Sequence, residues 1–344
     1  MLRVRSLLPL TLLFAAGVSV AQSPPPPSPK PAFVPPGTPG SPIKGEIFHA
    51  QVLLDIAGFS PGVIDGREGS SYKAALRGFQ EARGLDASGK LDGPTRRALL
   101  AIGRPSTTMV TLGRDDVVAN FVNSIPKDYE DQAKLPFLGY RNMLEKLAER
   151  YHTTPDTIVA LNGREALIGP GQVLRLPHVL PASRDYQDSI GNQGRLMSLL
   201  NVDGQQPRGE TIVVDKSDSA LKVYDAEDRL IAQFRVTSGS RRDPLPIGTW
   251  KVTTYAFLPP FHFQPDLFWD VSDAKEEQRV PPGPNSPIGV AWLDLTKEHY
   301  GIHGTPEPQN IGKTQSHGCI RMTNWDVLRL SRMLKPGFTA LFQA

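Results

Sequence analysis

The apolar residues of this chain change period along its length, and that change limits the fold more than any other feature. Phe48, Val52, Leu53 and Ala57 stand at helical spacing. Ala75, Leu76 and Phe79 give an apolar face to a second helix over 72–83, and a third short helix fits 95–100. Turns at Asp65-Gly66 and Leu91-Asp92-Gly93 separate the three, with Asp92 or Gly93 as a cap for the last. From residue 210 the pattern alternates instead. Leu221 and Val223 oppose Lys222 and Tyr224, and Trp250, Val252 and Thr254 repeat with period two. Further strands are predicted at 211–214, 230–237 and 290–295. One period cannot serve both structures, so the chain is multidomain: a small all-α three-helix bundle first and an all-β domain last.

Between them, 107–181 reads as a small α/β module. Asp115, Asp116 and Val117 begin a short helix, and Pro126 breaks it. Leu144, Leu147, Ala148 and Tyr151 have helical spacing. Thr154-Pro155 marks a helix start, and the stretch QVLRLP reads as a strand. The segment 182–206 is a polar connector carrying one apolar run, 196–200. His152 reads as a surface or structural residue.

The first 21 residues have the pattern of a secretory signal peptide. Arg3 and Arg5 precede an apolar run over 7–20, and Ser19 and Ala21 suit a cleavage site. Residues 22–43 are rich in proline and read as an extended linker or a disordered tail. The net charge is +3 with a pI near 8.9. With no long basic block and no interleaving of basic and aromatic residues, nothing points to nucleic acid. Cys319 is the single cysteine. It has no internal disulfide partner, so in an oxidising compartment it is either an inert buried residue or a reactive thiol.

Cys319 sits in the Gly-rich stretch YGIHGTPEPQNIGKTQSHGCIRMTN, together with His303 and His317. A thiol with imidazoles nearby suits a nucleophile activated by a base. Gly318 allows close backbone approach, and Arg321 adds charge that favours a thiolate. A metal site is disfavoured, because zinc takes three or four protein ligands and no carboxylate accompanies the motif. No cofactor is implied. The segment 257–287 is long, poor in regular pattern and rich in aromatics. It reads equally as a lid over a groove or as a satellite core.

Three stretches resemble known families. GFSPGVIDG, ALRGFQEARGL and GKLDGPTRRALL (domain 44–103) resemble the three-helix peptidoglycan-binding domain. LAERYHTTPDTIVALN and GPGQVLRLP (107–181) resemble a divergent LysM module. Its usual opening, a strand leading into Gly-Asp-Thr, is missing, and GYRNMLEKL stands in that place. The IHG at 302–304, the SHGCIRM run, PIGTW and GPNSPIGVAWLDL (209–344) resemble the YkuD-type L,D-transpeptidase catalytic domain, whose core is β-sandwich-like.

The last resemblance implies a periplasmic, wall-associated enzyme acting on peptidoglycan tetrapeptide stems. Cys319 would be the nucleophile and His303 the base, oriented by the Gly304 carbonyl. His317, with Gly318 and Cys319, would supply donors around the oxyanion, and Ser316 would support the site. Arg321 would bind a substrate carboxylate or form a structural ion pair. Tyr300 would line the groove, as would Trp292 unless it packs in the core. The donor stem would release D-alanine and leave a thioester. A second stem would then attack it to form a 3→3 cross-link, or water or a wall-linked protein would serve as acceptor. A non-catalytic wall-binding protein is the other class, and the intact SHGC run and His303 argue against it. The oligomeric state is not legible.

Overall fold

The computed structural model describes residues 43–344 apart from Asp273. The expected signal at 1–21, and all but the last residue of the expected linker at 22–43, lie outside the described residues. Among the described residues no helix is long and apolar enough to cross a membrane.

Helices α1 (Gly45–Ile56), α2 (Ser70–Ala82) and α3 (Gly93–Leu100) form the N-terminal bundle. Asp92 caps α3, its carboxylate accepting from the Thr95 amide at 2.9 Å, and a proline occupies the first turn. α1 is buried on two sides. Ala50, Leu53 and Leu54 pack with Phe79 and Leu99. Phe48 and Val52 instead enter a second core with Leu147, Tyr151, Ile158 and Leu161. The sequence reading placed Phe48, Val52 and Leu53 on one face, but a helix held between two cores has no single stripe.

The middle region begins with strand β1 (Thr107–Thr111), followed by α4 (Arg114–Val117), α5 (Tyr129–Ala133), α6 (Met143–Arg150), α7 (Pro155–Asn162) and β2 (Val173–Pro177). β1 and β2 pair antiparallel from Thr107↔Pro177 to Thr111↔Val173. An opening strand is therefore present, against the expectation. Its partner is remote in sequence and its Met109 is exposed, so it carries little local signal. Asn142 caps α6 and Thr154 caps α7, accepting from Glu145 and Thr157 amides respectively.

The C-terminal region opens with α8 (Gln193–Leu199), which contains most of the run read as part of a connector. Strands β3 (Thr211–Asp215), β4 (Ala220–Tyr224), β5 (Leu230–Arg235), β6 (Thr237–Ser238) and β7 (Gly248–Phe257) follow. A hairpin of β8 (Phe261–Phe263) and β9 (Gln278–Val280) precedes β10 (Ala291–Leu295), β11 (Gly301–His303) and β12 (Ile320–Arg321). The chain ends in α9 (Asn324–Met333) and β13 (Thr339–Gln343).

Nine strands form one mixed sheet in the order β5-β4-β3-β13-β7-β10-β11-β12-β6. Ile212 and Phe234 near one end share a core with Ile302 and Ile320 near the other, and with Trp325 and Leu328 of α9. The sheet is thus nearly barrel-shaped, where an all-β, sandwich-like domain was expected. α9 is absent from the sequence reading, although Trp325 and Leu328, and Val327 and Leu330, stand at helical spacing. Its Asn324, Asp326, Arg329 and Ser331 are buried with these apolar residues.

These buried polar residues join the three regions. Asp55 of α1 is fully buried and accepts from both terminal nitrogens of Arg329, at 3.2 and 2.7 Å. His152 donates from Nδ1 to Asp55 (3.1 Å) and from Nε2 to the Leu200 carbonyl (2.8 Å). Its ring stacks on Trp325 at 4.9 Å. Ser60 donates to Asp326 at 2.6 Å. Burial pushes Asp55 up, but Arg329 and His152 outweigh it and hold the carboxyl well below its usual range. Asp326 goes the other way, to about 6, through burial and through Asp55, with Arg329 only partly offsetting them. Glu149 rises to about 7 by burial, against hydrogen bonds from Tyr140 and Asn324.

Replacing Asp55 by Ala strands the Arg329 guanidinium and should cost about 3–5 kcal/mol in a denaturant titration. A second outcome follows from the raised carboxyls. Asp326 has a folded pKa above its ordinary value of 3.8, so its contribution is full below that value and is lost as pH rises through about 6. Unfolding free energy measured across that window should fall less steeply for Asp326→Asn than for the parent.

Candidate active site

β11 lies between β10, antiparallel to it, and β12, parallel to it, and β6 closes this edge. The register pairs Ile302 with Ile320 and His303 with Arg321. Side chains alternate along a strand, so the fully buried Ile302 and Ile320 point into the core. Cys319, Arg321 and His303 therefore share the opposite face.

His303 is 4% exposed. Its Nδ1 donates to the Gly304 carbonyl oxygen at 2.7 Å. That bond fixes the tautomer and leaves Nε2 as the acceptor. The Trp292 ring stacks on the imidazole at 5.3 Å with 16° between planes. Gly301 carries no Cβ where this indole lies. Burial and the Arg321 charge bring His303 down to about 3, against the Gly304 hydrogen bond. The imidazole is neutral at rest.

Cys319 is half-buried, and its thiol faces the His299 carbonyl oxygen at 3.7 Å. Burial pushes the thiol up, partly offset by the Gly301 backbone and Arg321. Gly318 has φ +100°, and the Tyr300 ring fills the space a Cβ would need. Tyr300 thus packs against the backbone beside Cys319. Ser316 donates to the Cys319 carbonyl (2.6 Å) and accepts from the Gly239 amide (2.7 Å). It is 3% exposed, so it holds the loop and does not face a substrate.

Arg321 has a buried Nε with no partner, and among the described residues its guanidinium forms no ion pair. His317 turns away from the thiol. Its Nε2 meets Asp270 at 2.9 Å, and Phe268 and Trp269 pack on its ring. The 257–287 segment is more regular than expected, holding the β8–β9 hairpin. Phe261, Phe263 and Phe268 cluster with Tyr129 of α5. Its two sequence readings both have a place here: an aromatic cluster at the base and a tip over His317.

One neighbour of the site was left open by the sequence and another escaped it. Trp292 read as lining the groove or packing in the core, and its ring stacks on His303. Its strand register opposite His303 could not be seen before pairing was known. Asn324 is fully buried and accepts from the Val290 amide at 3.0 Å. Its Oδ1 lies where Cβ atoms on Gly289 and Gly304 would be. The local signal of a helix start there is Thr323, which caps α9 by accepting from the Asp326 amide at 3.2 Å.

The sequence of residues 209–341 matches a family model described as "L,D-transpeptidase catalytic domain", and residues 44–99 match one described as "Putative peptidoglycan binding domain". The chain is similar to "Putative L,D-transpeptidase YkuD" of Bacillus licheniformis, 55% identical over 56 residues, covering 16% of this chain and 34% of that protein. It is similar to "Putative L,D-transpeptidase YqjB" of Bacillus subtilis, 27% identical over 141 residues, covering 39% and 72%. To "Probable L,D-transpeptidase YbiS" of Escherichia coli it is 25% identical over 199 residues, covering 51% and 65%. The match spans about a third of the YkuD proteins' own length.

Alkylation of the single thiol isolates its titration. Arg321 lowers the Cys319 pKa, so Arg321→Gln should move the midpoint of the alkylation rate against pH upward.

Proposed function

We propose, for a chain whose C-terminal domain is a YkuD-type L,D-transpeptidase catalytic domain and whose N-terminal domain is of the peptidoglycan-binding type, that it is an exported, wall-associated transpeptidase of peptidoglycan tetrapeptide stems. The observation that carries this reading is the shared face of Cys319, His303 and Arg321, with His303 Nδ1 tied to the Gly304 carbonyl. The middle module is read as a divergent LysM-like module that packs against the enzyme. The strands on either side of the core are read as the two layers of a sandwich-like arrangement.

Nε2 takes the thiol proton as Sγ attacks the carbonyl between the diaminopimelate L-centre and D-alanine. Backbone amides around 317–319 receive the oxyanion. The tetrahedral species collapses, the imidazolium returns its proton to the amine, and D-alanine leaves. The amine of a second stem attacks the thioester, gives a proton to Nε2, and Cys319 departs with it. The free Arg321 guanidinium suits the donor's terminal carboxylate as a bidentate partner. Its charge depresses His303 in the resting site. A bound carboxylate would neutralise that charge and raise the basicity of Nε2 when substrate is present.

Purified tetrapeptide muropeptides and mass spectrometry test the proposal. The expected product is a cross-linked dimer that has lost one D-alanine, and Cys319→Ala should make none. Cys319→Ser should lose at least about 100-fold, since a hydroxyl is the weaker nucleophile. Tripeptide alone would assign water as the acceptor. Cross-linking unchanged in Cys319→Ala would overturn the enzyme reading.

A further inference from the structure

Glu149 lies on α6, outside the C-terminal domain, and is 7% exposed. Its Oε1 accepts from Asn324 Nδ2 at 2.6 Å. The same Nδ2 also approaches the Pro284 carbonyl at 3.3 Å. Asn324 Oδ1 accepts from the Val290 amide and occupies the space left by the absent side chains of Gly289 and Gly304. The Gly304 peptide so contacted supplies the carbonyl that orients His303. A continuous set of contacts thus runs from α6 to the imidazole: carboxylate, amide side chain, glycine peptide, Nδ1.

The docking of α6 is itself well determined. The Leu138 amide donates to the Pro282 carbonyl (2.9 Å), and the Asn285 amide donates to the Leu138 carbonyl (3.0 Å). Asn285 Nδ2 donates to the Gly139 carbonyl at 2.8 Å. Leu138 closes over Gly283, where a Cβ would overlap its carbonyl. The segment 282–286 leads directly to Gly289 and β10. Two routes therefore connect the middle module to the site, one through this segment and one through Glu149.

We propose that Glu149 is a positioning residue for the base, clamping Asn324 against the Gly304 peptide so that His303 presents Nε2 to Cys319. The middle module then completes the catalytic site, in addition to any part it plays at the wall. An unclamped Asn324 amide can rotate, and the glycine peptide beside it loses its wall. Small misplacement of a base is costly, because proton transfer depends on alignment.

This inference rests on reading His303 as the base, and the experiment separates the two. The rate of Cys319 alkylation is followed against pH in full-length parent, His303→Ala, Glu149→Ala, Glu149→Gln and Glu149→Asp proteins. The exchange of the His303 Nδ1 proton is followed by NMR in the parent and the three Glu149 variants. Glu149→Ala should slow alkylation near pH 7 by about tenfold, shift its profile towards that of His303→Ala, and speed exchange of the Nδ1 proton. Glu149→Gln keeps an acceptor for Asn324 and should restore both readouts. Should Glu149→Ala fail to fold, Glu149→Asp, one methylene short, should show the same changes in smaller degree. A folded Glu149→Ala protein with the parent's profile and exchange rate overturns the proposal, as does a Glu149→Asp protein with neither change. An unaltered profile in His303→Ala instead overturns the reading of the base.

Discussion

A buried carboxylate, Asp55, is the point on which the arrangement of this protein turns. It has no access to solvent, yet it stays ionised because Arg329 and His152 surround it. Each partner comes from a different part of the chain, so none of the three groups is satisfied unless all three regions are in place. Such a cluster is poor evidence for net stability, since well-packed apolar residues could do as well. Its effect is on specificity of docking. Any sliding of α1 against α9 would leave a guanidinium or a carboxylate in a dry interior, which is far more costly than a lost apolar contact.

The consequence reaches the site through α9. That helix begins at Asn324, carries Asp326 in its first turn and Arg329 in its second. Fixing Arg329 against Asp55 therefore fixes the depth of Asn324 beneath Gly304. The same helix presents Trp325 to the His152 ring. The resting chemistry of the site matches this rigidity. A thiol held neutral by burial is a weak target for oxidants and electrophiles.

Much of this was legible in the sequence, and the divisions have physical reasons. The shift from helical to alternating period announced the bundle and the strands, because those patterns are local. The Thr154-Pro155 helix start read correctly because capping is a matter of a few adjacent residues. β1 and β13 were missed because a short strand is defined by its partner, and both partners lie far away in sequence. α9 was missed although its Thr323 cap and apolar spacing are local signals; what no local pattern shows is that its polar residues are buried and paired across domain boundaries. His303 with the Gly304 carbonyl was anticipated from family resemblance, and the distance of 2.7 Å gives that arrangement its geometry. Trp292 and Glu149 could not be placed, since neither carries a local motif and each reaches the base only through tertiary contact.

The spacing of the Gly-rich stretch also acquires a reason. His303 ends β11, and Cys319 immediately precedes β12, which runs parallel to it. A parallel pair cannot be joined by a tight turn and needs a crossover of roughly a dozen residues or more. Residues 304–319 make that crossover, and they do so without a long helix. The loop is instead tied down at intervals. Gly312 donates to Thr237 Oγ1 at 2.8 Å and accepts from Arg235, and Ser316 bonds to Gly239 and to the Cys319 carbonyl. Each tie reaches β5, β6 or the turn after it, so the loop is held along the same edge that β12 occupies. Shortening the loop would pull Cys319 off the register that aligns it with the face of His303. Removing a tie would leave the register intact but free the thiol to move relative to the imidazole. The distance in sequence between His303 and Cys319 is therefore set by strand direction, and the ties at Gly312 and Ser316 set how firmly the loop between them is held.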